Sequence, residues 1–292
     1  MSGSSIFDQL QAEHLALDEV AGGEFPHPER TRVVAVANQK GGVGKTSTAV
    51  NLAASLASKK KRVLLIDIDP QANATTGLGF NRSDFEFNIY HVLTGRKNMS
   101  EVIQKTELEF MDLVPSNIGL VGIEREASEE KDFKLTLKNK ISEVADRYDF
   151  IIIDSPPTLG SITVNALAAS DSVIIPIQCE FYALEGVALI LNTVKVVKQT
   201  VNKNLKIRGF LPTMYSLQNN LAKETVANLR EYFDDKLFRI GKTDDLVIIP
   251  RNIKLAESPS FGKPVILYDK KSAGSIAYQD LAKSIMEQKW AR

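Results

Sequence analysis

The chain has 292 residues, of which 43% are hydrophobic and 25% are charged, and this is the composition of an ordinary globular protein with a substantial core. Its 36 basic and 36 acidic residues balance, so a site for nucleic acid would have to be a local basic patch. The single cysteine, Cys179, excludes an internal disulfide and a metal cluster held only by cysteines of one chain. We expect this residue to be packed in the interior rather than reactive.

Membrane and export signals are also absent from the sequence pattern. No apolar run approaches the roughly eighteen residues of a membrane-spanning helix. The first thirty residues lack the basic and then apolar order of a secretory signal. We therefore expect a cytoplasmic protein.

Residues 1–31 differ in character from the rest of the chain. They contain six acids and one basic residue, and they end in a Gly- and Pro-rich stretch that is typical of a linker. We expect a flexible N-terminal extension over 1–31, followed by a single domain over 32–292. The alternative is a partner-binding helix in the extension, since Ile6, Leu10 and Leu17 would line one side of it.

Short apolar runs alternate with helical patterns from Val33 onward. The runs of strand length are VVAVAN, RVLLIDID, FMDLVPS, DFIIIDS, SVIIPIQ, KIRGFLPTM and LVIIP. Helical patterns include TSTAVNLAASLASKK, LKNKISEVADRY, ALEGVALILNTVKVVKQ and AKETVANLREYF. Continuous apolar runs suit strands that are buried on both faces, and the alternation favours right-handed crossovers. The pattern predicts an α/β fold with a doubly wound, mostly parallel sheet flanked by helices.

The segment NQKGGVGKTST, residues 38–48, joins the first predicted strand to the first predicted helix. In that context, backbone N–H groups and the helix N-terminus can surround phosphates, Lys45 can bridge the β and γ oxygens, and Thr46 can hold magnesium. The ordinary pattern G-x-x-x-x-G-K-[ST] fails, however, because Gln39 stands six positions before Lys45. The second lysine of the loop, Lys40, therefore needs an explanation of its own.

Carboxylates follow two of the predicted strands. Asp67 and Asp69 stand at the carboxyl end of RVLLIDID, and Asp154 ends FIIID. Ligands of open α/β sheets bind at this edge, so we expect these acids beside the phosphates and magnesium. Alternation would place Asp67 and Asp69 on one side if the strand stays extended that far. The alternative is that the carboxylates only cap the turns that follow.

The loop K-G-G-V-G-K-T resembles the deviant Walker A box of the ParA/MinD group of P-loop ATPases. Within that group, the chain resembles the chromosome-partitioning ParA proteins, often called Soj, from Arg32 to the C-terminus. The segments that carry this resemblance are ANQKGGVGKTSTAVNLAASLA, LLIDIDPQANATTGLG, YDFIIIDSPPTLG, PIQCEFYALEG and IPRNIKLAESPSFGKP. One small departure is Ser47, where the family usually has threonine.

The resemblance implies a slow, magnesium-dependent ATPase that hydrolyses ATP to ADP and phosphate. The implied ATP-binding loop is Lys40, Gly41, Gly42, Val43, Gly44, Lys45, Thr46 and Ser47. In the family, the first lysine reaches the nucleotide of the partner subunit in an ATP-bound homodimer, and this role falls to Lys40. The implied catalytic residues are Lys40, Lys45 and Asp69, which positions or activates the attacking water. The implied magnesium residues are Thr46, Asp67 and Asp154, and the candidates to hold adenine are Thr213, Met214, Pro250 and Asn252.

A local basic bias stands out in residues 186–223, which contain six cations and no acid. Lys195 and Lys198 fall three apart on a predicted helix and so share a face. Arg251 and Lys254 add two cations further along the chain. The resemblance implies binding of double-stranded DNA without sequence preference, and we expect these four residues to contact phosphates. The alternative for each is an ordinary solvated residue, and Lys195 stands where the family commonly has arginine.

The resemblance also implies a nucleoid-associated homodimer whose hydrolysis is stimulated by a ParB-like, centromere-binding protein. One alternative is a MinD-like ATPase that acts on a membrane, and another is a regulator of replication initiation or transcription. The membrane alternative requires a basic amphipathic C-terminal helix, whereas SIAYQDLAKSIMEQKWAR is mixed in charge. We expect this segment to pack on the fold and to provide no stable membrane anchor. A reductase like the nitrogenase iron protein is excluded, because it needs two cysteines per subunit.

Overall fold

The computed structural model describes residues 25–126, 133–180, 183–288 and 290. Most of the predicted extension, residues 1–24, therefore lies outside the described residues. Residues 25–31 precede the first strand and contact the domain. His27 Nδ1 lies 2.8 Å from Asp149 Oδ2, and the Thr31 hydroxyl donates a hydrogen bond of 2.8 Å to the carbonyl oxygen of Tyr148.

One sheet organises the described part of the chain. Its strands are β1 (Arg32–Val36), β2 (Val63–Asp67), β3 (Gln104–Lys105), β4 (Met111–Val114), β5 (Phe150–Asp154), β6 (Ser172–Gln178) and β7 (Lys206–Thr213). Their order across the sheet is β3-β4-β2-β5-β1-β6-β7. The edge strand β3 is antiparallel to β4, and all other pairs are parallel. The predicted doubly wound, mostly parallel sheet is confirmed.

Helices cover both faces of this sheet. They are α1 (Lys45–Ser58), α2 (Asn73–Gly77), α3 (Ile89–Leu93), α4 (Leu120–Glu126), α5 (Thr136–Ser142), α6 (Ser161–Ala169), α7 (Ala183–Thr200), α8 (Asn220–Phe233), α9 (Ile253–Glu257), α10 (Val265–Tyr268) and α11 (Ala273–Glu287). Short 3-10 helices span Met99–Glu101, Phe133–Leu135, Ala145–Arg147, Asp234–Lys236 and Ser258–Phe261. No helix among the described residues is long and apolar enough to cross a membrane.

The two faces of the sheet form separate hydrophobic layers. Val34 and Val36 of β1 pack in the layer that contains α1 and α11, whereas Val33 and Ala35 pack in the opposite layer with α6 and α7. Because both faces are buried, the strand has no polar alternation, and this is why its sequence is a continuous apolar run. The C-terminal helix α11 packs against α1, as we predicted for the mixed-charge segment.

One predicted strand is wrong, and one observed strand was not predicted. The run LVIIP, residues 246–250, forms only isolated bridges, which pair Arg239 with Leu246 and Tyr215 with Pro250. Its backbone donors go to two different segments, since Val247 N–H bonds to Phe238 and Ile249 N–H bonds to Pro212, so no continuous ladder forms. The polar edge strand β3 is too short for an apolar pattern and was not predicted.

The strand register brings the predicted acids to one edge of the sheet. Asp154, the last residue of β5, lies between Val36 of β1 and Asp67 of β2. The chain leaves β1 at Val36 and enters α1 at Lys45, so the phosphate loop crosses the same edge. The carboxyl edge around β1, β2 and β5 is therefore where a functional site is assembled.

Candidate nucleotide site

The loop between β1 and α1 depends on glycine for its shape. Gly42 has φ of 74° and Gly44 has φ of 87°, a left-handed region in which a side chain would be strained. Gly44 is also the N-cap of α1, and no described side chain caps this helix end. The first N–H groups of α1 are therefore available to an anion, as a phosphate site requires.

Lys45 is directed toward the acids at the sheet edge. The residue is only 7% exposed, and its ammonium donates a hydrogen bond of 3.0 Å to the carbonyl oxygen of Lys40. Burial lowers the pKa of Lys45, while the charges of Asp154 and Asp69 raise it. A phosphate placed over the loop would add negative charge beside this ammonium and favour its charged form.

Lys40 has a fixed backbone and an accessible side chain. Its N–H donates to Asn38 Oδ1 at 3.1 Å, and Asn38 Nδ2 in turn donates to the carbonyl oxygen of Pro176 at 2.7 Å. The Lys40 ammonium lies 3.9 Å from Glu180 Oε2 and its side chain is 35% exposed. The two lysines of the loop therefore have different surroundings, one buried among acids and the other at the surface.

Asp67 organises the loop that follows β2. Its Oδ1 accepts the N–H of Asp69 at 3.1 Å, and its Oδ2 accepts both the N–H and the hydroxyl of Thr75, at 2.9 and 2.7 Å. Burial raises the pKa of this carboxyl to about 6, against these hydrogen bonds, which lower it. Both oxygens thus already have protein partners, and the chain turns after Asp67 instead of staying extended to Asp69.

Asp69 lies in that turn, is 6% exposed, and is held through both its backbone and its carboxylate. Its carbonyl oxygen accepts the hydroxyl of Ser116 at 2.7 Å, and its Oδ1 accepts the N–H of Gln71 at 2.9 Å. Ser116 comes from the loop after β4, which the sequence did not indicate. The loop after β2 is thereby tied to the loop after the neighbouring strand β4, and the charge of Asp69 acts on Lys45, whose pKa it raises.

Asp154 is the acid whose surroundings suit a magnesium site. It is fully buried, and neither carboxylate oxygen accepts a hydrogen bond of ordinary geometry from a described residue. Burial and the charge of Asp67 raise the pKa of Asp154, while the nearby Thr46 hydroxyl lowers it without reaching ordinary hydrogen-bond geometry. Buried oxygens without partners are rare, so these two fit a cation or its bound water.

The oxygen donors of Thr46 and Asp154 are of the kind that Mg²⁺ prefers. No group of three or more acids or histidines among the described residues forms a metal cage on its own. This fits magnesium, which keeps several waters and takes further oxygens from nucleotide phosphates. The predicted part of Asp67 in this shell stays a prediction.

A cavity of about 200 Å³ opens beside the loop. It is lined by Gly44, Ser47, Thr213, Met214, Ile249, Pro250, Arg251, Asn252, Leu255, Ala256 and Tyr278. All four residues that we predicted to hold adenine are in this lining. Thr213 also binds the loop directly, since its hydroxyl donates to the carbonyl oxygen of Val43 at 2.9 Å.

Some of the cavity wall could not be read from the sequence. Ile249 belongs to the run that was predicted as a strand, and Tyr278 comes from α11. The Tyr278 hydroxyl lies 3.3 Å from Thr48 Oγ1 of α1, and burial raises the pKa of this tyrosine. In the sequence, Tyr278 is only an aromatic residue on an amphipathic helix, and ordinary core residues show the same pattern.

The four cations predicted for DNA occupy two regions. Lys195 and Lys198 are exposed on α7, and within the described ranges neither forms an ion pair. Arg251, in contrast, lines the cavity and lies 3.8 Å from Glu180. Lys254 pairs with Glu257 at 3.1 Å. Contact with DNA stays a prediction for all four, and among the described residues the α7 pair has no acidic partner.

Cys179 lies next to Glu180 and is 2% exposed. Burial raises the pKa of its thiol to about 12. A thiol that stays protonated at neutral pH is a poor nucleophile, so the expected interior role is confirmed.

Comparison with known proteins gives close relatives over most of the chain. A family model described as an AAA domain matches residues 31–207. The chain is 47% identical over 254 residues to the sporulation initiation inhibitor protein Soj of Bacillus subtilis. The aligned region covers 87% of this chain and 98% of that protein. It is 46% identical over 257 residues to the chromosome partitioning protein ParA of Myxococcus xanthus, with 88% of each chain covered.

Among solved structures, the chain is similar to cobyrinic acid a,c-diamide synthase from Mycobacterium smegmatis with bound ADP and magnesium. The TM-score is 0.75 and the identity is 34%, with 88% of this chain and 94% of that chain covered. The similar protein thus carries both a nucleotide and the metal for which the present site has donors.

Proposed function

The chain belongs to the ParA/Soj family of chromosome-partitioning P-loop ATPases, and on that premise we propose that it partitions DNA through an ATP-driven cycle. ATP with magnesium joins two copies into a homodimer. The dimer binds double-stranded DNA of the nucleoid without reading its sequence, and hydrolysis to ADP and phosphate releases it. A ParB-like, centromere-binding protein stimulates the hydrolysis.

The proposed chemistry uses the groups at the sheet edge. Lys45 and the N–H groups of α1 bind the β- and γ-phosphates, and the cavity beside Thr213 holds the adenine. Thr46 and Asp154 hold magnesium, which when bound neutralises charge on the transferred phosphoryl group. Asp69 positions the attacking water. Positioning dominates over basicity in phosphoryl transfer, so a slow intrinsic rate is consistent with these few groups.

The proposal rests on the different surroundings of the two lysines of the phosphate loop. Lys45 is buried among the acids of its own subunit, whereas the Lys40 ammonium is accessible at the surface. A second cation that is accessible at the surface suits delivery to the γ-phosphate of another copy. ATP then becomes part of the interface, and its hydrolysis weakens the pair.

The proposed DNA surface centres on α7. Lys195 and Lys198 are exposed there and, within the described ranges, have no acidic partner. Lysines without such partners contribute to DNA binding by neutralising phosphates and releasing counterions. Two copies of α7 in a dimer present twice this positive charge to one duplex, which supports DNA binding that depends on pairing and hence on ATP.

The test combines light scattering with DNA binding. We expect a homodimer with ATP and a monomer with ADP or no nucleotide, and ATP-dependent binding to a mixed-sequence duplex that weakens steeply with salt. Pairing without DNA binding would favour a regulatory role, in line with the name of the Bacillus relative, or a membrane role, which vesicle sedimentation would detect. Absence of ATP-dependent pairing would contradict the proposal.

We also propose that residues 32–292 form the single ATPase domain and that residues 1–31 are an extension. Because residues 25–31 contact the domain, limited proteolysis tests whether the part of the extension before Phe25 is dispensable. Cleavage before Phe25 should leave ATP binding intact, because the described nucleotide site begins at the carboxyl end of β1.

A further inference from the structure

Glu180, which follows β6, lies between cations from two loops of the site. Its Oε2 is 3.9 Å from the Lys40 ammonium, and its Oε1 is 3.8 Å from the Arg251 guanidinium. Gln178 Nε2 donates to the same Oε1 at 2.6 Å. One carboxylate therefore joins the phosphate loop to the segment that lines the base cavity.

The backbones on both sides of this contact are anchored. The N–H of Glu180 bonds to the carbonyl oxygen of Gln178 at 2.8 Å, and the N–H of Cys179 bonds to that of Thr213 at 3.1 Å. On the other side, the backbone N–H of Lys40 bonds to the Asn38 side chain, and its carbonyl oxygen accepts the Lys45 ammonium. Only side-chain rotation of Lys40 is needed to separate the pair.

The ion pair between Lys40 and Glu180 is weak enough for a phosphate to replace Glu180. The Lys40 and Glu180 side chains are 35% and 47% exposed, and such solvent-screened pairs contribute little to stability. An ATP carries several negative charges, and its γ-phosphate offers shorter, charge-assisted hydrogen bonds. Within the described residues, Glu180 is the acid that lies within 4 Å of the Lys40 ammonium, so it is the competitor that phosphate must displace.

We propose that Glu180 is a positioning residue that retains Lys40 in its own subunit until the ATP of a second copy competes for the ammonium. The inference rests on the proposed function, because it requires Lys40 to act across a homodimer. After the exchange, the carboxylate keeps Arg251 and Gln178 as partners, so its charge does not become unpaired. Glu180 thereby sets the ATP concentration at which two copies pair.

The test is the substitution Glu180→Gln, which keeps the size and the exposed position but removes the charge. Light scattering at one protein concentration gives the ATP concentration for half-maximal pairing. Each subunit exchanges one exposed ion pair for each ATP bound, so we expect this concentration to fall about two- to fivefold. The difference should shrink with added salt, which screens exposed pairs.

Glu107→Gln is the matched control. It removes the same charge from an exposed pair with Lys263, at 3.3 Å, and should leave the half-maximal ATP concentration unchanged. Glu180→Asp keeps the charge on a shorter side chain. Its half-maximal ATP concentration should lie between those of the parent and Glu180→Gln. At saturating ATP, the hydrolysis rate of Glu180→Gln should equal that of the parent, because the change acts on pairing and not on the reacting groups.

The outcomes distinguish a wrong role for Glu180 from a wrong proposed function. A parent that pairs in ATP, with a half-maximal concentration that Glu180→Gln leaves unchanged or raises, overturns this inference alone. A slower hydrolysis at saturating ATP with unchanged pairing also overturns it, since Glu180 would then act on the reaction. A parent that does not pair in ATP overturns the proposed function and this inference together.

Discussion

The ammonium of Lys45 donates a hydrogen bond of 3.0 Å to the carbonyl oxygen of Lys40, so the two lysines of the phosphate loop are joined through the side chain of one and the backbone of the other. Their own ammonium groups lie beside different acids. Lys45 is buried and interacts with Asp154 and Asp69, whereas Lys40 is paired with Glu180 at the surface. The side chains of these two lysines can therefore be removed separately, with different consequences.

Lys45→Ala should abolish most of the affinity for magnesium-bound ATP. It removes the buried cation that faces the phosphates, and a charge-assisted hydrogen bond is worth about 1.5–3 kcal/mol, so we expect affinity to fall about 10- to 150-fold. Lys40→Ala keeps the carbonyl oxygen to which Lys45 bonds and should bind ATP nearly as the parent does. It should nevertheless fail to pair.

Equilibrium titration with a fluorescent ATP analogue measures the ATP affinity of both variants, and light scattering measures their ATP-dependent pairing. If Lys40→Ala pairs normally with ATP, the role of Lys40 across the interface is wrong. Parent-like affinity in Lys45→Ala would contradict the assignment of the phosphate site.

Asp69→Ala should trap an ATP-bound dimer that turns over slowly. The carboxylate is held in place through its backbone by Ser116, and loss of a group that positions the attacking water costs on the order of 10²–10⁴ in rate. Single-turnover release of phosphate measures the effect. Ser116→Ala keeps the Asp69 carboxylate and loses only the hydrogen bond to the Asp69 carbonyl oxygen, so its effect on the rate should be smaller than that of Asp69→Ala. A larger effect of Ser116→Ala would assign the loss of rate to folding of the loop.

The fold was largely predictable because burial on both faces leaves a clear pattern in the sequence. The runs that became β1, β2, β5 and β6 have no polar alternation, and flanking helical patterns gave their parallel arrangement. The run at 246–250 is also apolar, but it forms only isolated bridges instead of a strand of the sheet. Ile249 lines the cavity, so an apolar run can be a ligand wall as well as a strand.

The site was predictable where its parts are adjacent in sequence and not where they meet through the fold. The loop 40–47 carries its own signal in glycines and lysines. The contacts that support it join residues far apart, such as Asn38 with Pro176, 138 positions away, and Thr48 with Tyr278, 230 positions away. A single sequence contains no pattern that pairs such residues.

Lys195→Glu together with Lys198→Glu should weaken DNA binding without affecting ATP-dependent pairing. Both side chains are exposed on α7, so the stability of the fold should change little. The slope of log affinity against log salt should fall by roughly 0.9 for each phosphate that the variant no longer neutralises, and in a dimer the substitutions act in both subunits. Anisotropy with one mixed-sequence duplex in ATP, at several salt concentrations, measures this slope.

Lys236→Glu is the matched control for charge reversal. It changes an exposed lysine that pairs with Asp235 at 3.0 Å, outside the proposed DNA surface, and should leave the slope close to that of the parent. An unaltered slope in the α7 variant would place the DNA surface elsewhere.

Asp280 of α11 should make the stability of the fold depend on pH. Asp280 is 6% exposed. Burial raises the pKa of its carboxyl to about 7, although the charge of Lys59, just after α1, lowers it. In the unfolded chain, aspartate titrates near its ordinary pKa of about 3.9. Between these two values the folded chain binds a proton that the unfolded chain has released, so the free energy of unfolding falls as pH rises through this window.

Asp280→Asn removes this titration and should be more stable than the parent at pH 8, by up to about 4 kcal/mol for a pKa difference of about 3, with little difference near pH 4. Urea unfolding at pH 4, 6 and 8 without nucleotide measures the free energies. The advantage of the variant should grow with pH across the series, because the parent must either ionise a buried carboxyl or keep it protonated at a cost. Asp235→Asn, which removes an exposed carboxylate, should show no such growth. Equal pH dependence in Asp280→Asn and the parent would mean that the Asp280 carboxyl has an ordinary pKa in the folded chain, with Lys59 compensating for burial.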